Sequence, residues 1–129
     1  MTGTTAMVCF RTERGQFALP IAATLSVRTM AGLVELPSPG PDVLGMLPGD
    51  PPLSVLSTLG AGGDRVLVCV SDEVRYGLQV LEVLGVRHVD DGLIGPAPIG
   101  QGDGLVVGTI SDGDDLVLIA DAGTIGARR

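Results

Sequence analysis

The chain has no tryptophan, one tyrosine and two phenylalanines in 129 residues. Any core it forms is therefore packed from Val, Leu, Ile and Ala rather than around large rings. It has one histidine, His88, so the His-centred acid–base and nucleophile pairs of most hydrolases are scarce in advance. It has two cysteines, Cys9 and Cys69, each inside an apolar stretch, where a free thiol behaves as a small hydrophobe. No window approaches the roughly 20 unbroken apolar residues of a membrane-spanning helix, and the amino end lacks a basic region followed by an apolar run. A cytoplasmic protein with no membrane insertion is expected. Positive charge is in deficit, with eight basic against fifteen acidic side chains and a net charge of -7. Such a balance repels phosphate backbones and removes the counterion-release contribution on which nucleic-acid affinity depends, so nucleic acid is excluded as a partner.

What the chain does have is punctuation. Twenty glycines and nine prolines are scattered along it rather than gathered in a tail, which leaves little room for long helices and favours many short strands. Ala6 to Phe10 and Phe17 to Ile21 read as a hairpin around Glu13-Arg14-Gly15. Leu25 and Val27 alternate with Thr24, Ser26 and Arg28, the period-2 signature of a half-buried strand whose polar face is open to a partner. Prolines at 37, 39, 41, 48, 51 and 52 leave space for at most a helical turn near Asp42 and Val43. Leu53 to Leu56 resumes as a strand, and Gly60 to Gly63 is a loop. Val66 to Val70 is apolar at every position and suits a strand buried on both faces. Tyr76 to Val89 fits helix and strand spacing about equally, but its β-branched residues, with Gly77 and Gly85 inside, favour strands. After Asp90 the chain reads as loop through Pro98, then as two strands, Leu105 to Ile110 and Leu116 to Ala120. Eight to ten short strands and no long helix point to barrels or a sandwich, in one domain or two small lobes about a single core.

No common site for chemistry emerges. His88 sits in a Val86-Arg87-His88-Val89 strand pattern and reads as a solvated strand residue. Asp112, Asp114 and Asp115 around Gly113 lack the alternate ligands and distal glutamate of a calcium loop and read as a hairpin turn. The glycine stretches 60–63 and 100–104 lack the Gly-Lys-Ser/Thr of a phosphate loop. No metal, no cofactor and no enzymatic activity are expected, and surface recognition is the function left.

Gly77-Leu78-Gln79-Val80-Leu81-Glu82-Val83-Leu84-Gly85-Val86 resembles the Gly-Leu-x-Val-Asp-x-Val-x-x-Val strand signature of the CheW-like domain family, with Leu81 at the aspartate position. Phe17-Ala18-Leu19-Pro20-Ile21, Leu36-Pro37, Val43-Leu44-Gly45-Met46-Leu47, Leu105-Val106-Val107-Gly108 and Leu116 to Asp121 are similar to further family segments, in the family's order over nearly the whole chain. The resemblance implies an all-β fold of two intertwined five-stranded SH3-like barrels sharing a hydrophobic core. It also implies a non-enzymatic adaptor that couples chemoreceptors, or another CheW-like protein, to the regulatory domain of a CheA-type histidine kinase. On that resemblance Thr24 and Ser26 fall at kinase-contact positions, and Gly45, Leu47 and Asp50 at the receptor- or partner-binding groove. The chain departs at Pro48-Gly49-Asp50-Pro51, where the family continues Asn-Leu-Arg-Gly. An anion in place of the arginine turns an attraction for an acidic partner into a repulsion. Two alternatives remain open: a divergent paralogue serving another kinase pathway, such as motility or development, without receptor coupling; and a small-molecule-sensing β domain with an apolar cleft between lobes, for which no convergent polar groups are visible in the sequence.

Overall fold

The computed structural model describes residues 3–36, 42–98 and 104–129; prolines 37, 39 and 41, glycines 100 and 102, and the side chain of Asp112 lie outside what is described. Among the described residues eleven strands run in order: β1 Thr4–Thr12, β2 Gly15–Pro20, β3 Thr24–Thr29, β4 Val43–Leu47, β5 Leu53–Leu56, β6 Arg65–Ser71, β7 Val74–Val80, β8 Glu82–Asp90, β9 Ile94–Pro96, β10 Val106–Asp112 and β11 Asp115–Ala120. One short helix, α1 Ala122–Gly126, comes last. The strands form a six-stranded sheet, β8-β1-β2-β11-β10-β9, and a five-stranded sheet, β3-β6-β7-β5-β4. The first lobe takes both ends of the chain and the second takes the middle. Each is built from antiparallel pairs joined by one parallel pairing, β2 with β11 in the first and β5 with β7 in the second. The chain leaving β3 returns to the second sheet through an antiparallel bridge from Val34 to Met46, which ties its two edge strands together at one end.

Side-chain alternation explains how the lobes are joined. In β1, Met7 and Cys9 enter a core private to the first lobe, while Val8 and Phe10 enter a core shared by both lobes. In β6, Val66 and Val68 fill the second lobe, while Leu67 and Cys69 reach the shared core. Strands buried on both faces are therefore apolar at every position, as the run from Val66 predicts. The shared core gathers Phe10, Phe17, Leu19, Leu56, Leu67, Tyr76, Leu78 and Ile125 from both sheets and α1. The two phenylalanine rings stack with centroids 6.0 Å apart. Burying each such aliphatic or aromatic side chain contributes about 1.5–3 kcal/mol.

Several expectations are corrected. The proline-rich segment holds a full strand, β4, rather than a helical turn; no proline falls within Val43–Leu47, so Pro48 bounds the strand without interrupting its ladder. Gly95 and Pro96, read as loop, belong to β9, whose three pairs with β10 add a sixth strand to the first sheet. β3 is exposed along nearly its whole length rather than buried on one face, Leu25 and Val27 at 51% and 48%, because among the described residues it is an edge strand that pairs only with β6.

Steric limits constrain the backbone of the second lobe, among other places, at Gly45 and at the β6–β7 turn. A Cβ on Gly45 would fall on the Val34 carbonyl oxygen, so the crossing that closes this lobe admits only glycine there. The β6–β7 hairpin turns through Asp72 and Glu73 with φ of 51° and 65°. This left-handed pair is normally left to Asn-Gly, and it costs of order 1 kcal/mol or more per non-glycine residue.

Candidate functional site: the edge of the second lobe and the cavity beside it

The sequence places Thr24 and Ser26 on one polar face, but a bulge separates them. Thr24 lies opposite Cys69 and Ser26 opposite Val68, so two β3 steps match one step of β6. Cys69 faces the shared core and Val68 the interior of the second lobe. The extra residue, Leu25, thus puts Thr24 and Ser26 on opposite faces, Thr24 with Val27 and Ser26 with Arg28. The Thr24 hydroxyl also donates to the Ile21 carbonyl (3.0 Å), closing the short turn that enters β3. Beyond β3, Ile21, Leu84 and Val86 are exposed apolar residues too, the last two on β8, an edge strand of the first sheet.

Of the three groove residues, only Asp50 reaches the surface. Leu47 has no exposed area and packs inside the second lobe with Leu53, Val55, Val66 and Val68. Gly45 is buried against Val34. Neither can itself touch a partner: they set the position of the loop that presents Asp50.

That loop walls a cavity of about 850 Å³, which Ser26 and Arg28 of β3, Met46, the 49–52 loop, Leu53, Ser54, Val68, Glu73, Val74, Arg75 and Arg129 complete. Sequence reasoning missed Arg28, Glu73, Arg75 and Arg129 as a group, because Arg28, the Glu73–Arg75 stretch and Arg129 lie far apart along the chain and only the fold brings them together. Arg28 donates to the Pro48 carbonyl (3.4 Å), reaching across from β3 to the end of β4. Arg129 donates through Nε to the Gly126 carbonyl (2.9 Å).

The residues with classical reactivity lie elsewhere. His88 is exposed on β8. Cys9 and Cys69 are free and buried; loss of solvation pushes the Cys69 thiol up to about 12, with a hydrogen bond to Tyr76 partly offsetting it. Burial likewise raises Cys9, against the pull of nearby Arg87. Tyr76, fully buried and donating to the Ala122 carbonyl (2.8 Å), is raised by burial and by neighbouring Cys69 and Asp121. Desolvated thiols and phenols of this kind are poor nucleophiles at neutral pH. Among the described residues no group of three His, Cys, Asp or Glu gathers to hold a metal ion, and no helix is long and apolar enough to cross a membrane.

No protein-family model matches the chain, and no curated protein matches it. Among solved structures it is similar to the scaffolding protein TtCheW from Thermoanaerobacter tengcongensis, with a TM-score of 0.79 and 18% identity over 94% of this chain and 90% of that one. The chain has the CheW-like fold.

Proposed function

We propose that this protein is a non-enzymatic adaptor that docks through its exposed sheet edge on the CheW-like regulatory domain of a CheA-type histidine kinase. The observation that supports the reading most is β3: an edge strand with one hydrogen-bonding side unpaired in the sheet, bearing Leu25 and Val27 half-exposed, on a fold similar to that of a scaffolding protein. An edge of this kind offers main-chain groups for strand addition and apolar side chains to bury on contact. Ser26 and the backbone around Thr24 fall within such a contact. The adaptor acts by binding one state of the kinase better than another, and phosphoryl chemistry stays in the kinase.

A second partner, a chemoreceptor or another CheW-like protein, would meet the loop carrying Asp50. The exposure of this carboxylate, where the family resemblance places an arginine, favours the paralogue reading, in which coupling to a receptor is lost and the protein serves another kinase pathway. Calorimetry against the regulatory domain of a histidine kinase from the same genome tests both. Binding near about 1–10 μM, weakened at least about tenfold by Leu25→Asp, supports docking on β3. Absence of heat with every such domain sinks it. An Asp50→Arg variant that gains affinity for a receptor signalling tip assigns the divergence to this one charge.

A further inference from the structure

The adaptor reading uses Ser26 and the Asp50 loop of the second-lobe cavity and leaves the rest of its lining without a role. Its volume, about 850 Å³, lies in the range of small-molecule pockets. Three of the chain's eight basic residues, Arg28, Arg75 and Arg129, line it together with Asp50 and Glu73. In a chain with net charge -7, this reverses the local balance. None of these five side chains forms an ion pair with another described residue: the pairs present, Arg11 with Glu82 and Arg128 with Asp42, lie elsewhere. The Arg75 guanidinium makes no hydrogen bond to a described residue either, its backbone alone pairing with Val70. All five are exposed to solvent, so beyond the carbonyl contacts of Arg28 and Arg129 their donors and acceptors are held only by water and are open to the charged groups of a ligand. Between them lie the apolar surfaces of Met46, Leu53, Val68 and Val74 and the hydroxyls of Ser26 and Ser54.

A second observation points the same way. Glu73 holds a left-handed backbone conformation, φ 65°, at a turn position where glycine would be unstrained. The β6–β7 turn thus fixes Glu73 in the lining of the cavity.

We propose that this cavity binds a small zwitterion with an apolar body, a free amino acid or short peptide. The arginines take its carboxylate, Asp50 and Glu73 take its ammonium group, and the Met46, Leu53, Val68 and Val74 surface takes its side chain. A simple anion fits less well, because both carboxylates would repel it, and a cation would face three guanidinium groups. The cavity shares Ser26 and Arg28 with β3, where kinase docking is proposed, and ligand binding measured on the chain alone keeps the two readings apart.

Calorimetry on the intact chain with leucine, leucyl-leucine, N-acetylleucine and leucinamide tests the proposal. Saturable binding of leucine or leucyl-leucine is expected, the tighter of the two telling amino acid from peptide. N-acetylleucine, which lacks the ammonium, and leucinamide, which lacks the carboxylate, should each bind at least about tenfold more weakly. Arg75→Gln should weaken the zwitterion about tenfold while leaving the thermal midpoint unchanged, and Glu73→Gln should narrow the gap between leucine and N-acetylleucine. No saturable heat with any probe at millimolar concentration overturns the site. N-acetylleucine binding as tightly as leucine overturns the zwitterion, and unchanged affinity in Arg75→Gln overturns the assignment to this cavity.

Discussion

The two lobes share one scheme, antiparallel pairs joined by a single parallel pairing, yet they put it to different use. The first lobe packs a private core of seven buried residues, from Met7 to Ile119, and draws strands from both ends of the chain. The second has five such residues, helped by the partly buried Met30, Leu33 and Leu44, and beside them opens the 850 Å³ cavity. The first lobe has the larger private core, while the second sets a charged, exposed lining beside a smaller one. A common scheme of pairing thus leaves the interior free to vary, because ladders hold the shape while side chains decide what fills it.

The shared core packs residues of both lobes together, and removing part of it is the hardest blow. Phe10→Ala should cost about 3–5 kcal/mol and leave a single urea transition, seen at the same midpoint by far-ultraviolet circular dichroism and by fluorescence of Tyr76, which lies on the second lobe. Two separated midpoints would mean that the lobes fold independently.

Glycine substitutions sharpen the contrast next. Gly45→Ala in the second lobe places a methyl against the Val34 carbonyl and should cost about 1–3 kcal/mol. Gly113→Ala in the first, where nothing lies within 4 Å and only a φ of 62° opposes it, should cost about 1 kcal/mol or less. Chemical denaturation of both variants checks the order.

The thiols differ between the lobes as well. Because Cys69 is pushed from 9.0 to about 12, and Tyr76 is also raised, the unfolded chain loses these protons first as pH rises. The stability they contribute is intact below pH 9.0 and is lost through the window up to about 12. Cys69→Ala should flatten that alkaline decline in a denaturation series. Cys9, whose rise Arg87 counters, should react with iodoacetamide before Cys69, as mass spectrometry would show. The smallest effect is on the surface: breaking the Arg11–Glu82 pair of the first lobe, exposed at 46% and 54%, by Arg11→Ala should change stability by about 0.5 kcal/mol or less.

Much of the fold was legible in the sequence wherever a strand's own periodicity reports its surroundings. The uniformly apolar run from Val66 announces burial on two faces, Leu53–Leu56 is bounded as expected, and the opening and closing hairpins stand where glycine and acidic turn residues put them. These come from local pattern, since alternation and turn chemistry act over a few residues. Only the tertiary structure decided that β3 is an uncovered edge, that a bulge at Leu25 parts Thr24 from Ser26, that Leu47 is interior, and that Arg28, Arg75 and Arg129 meet around one cavity. The physical reason is that register, edge position and convergence depend on contacts between residues far apart in the chain, and no local period encodes them.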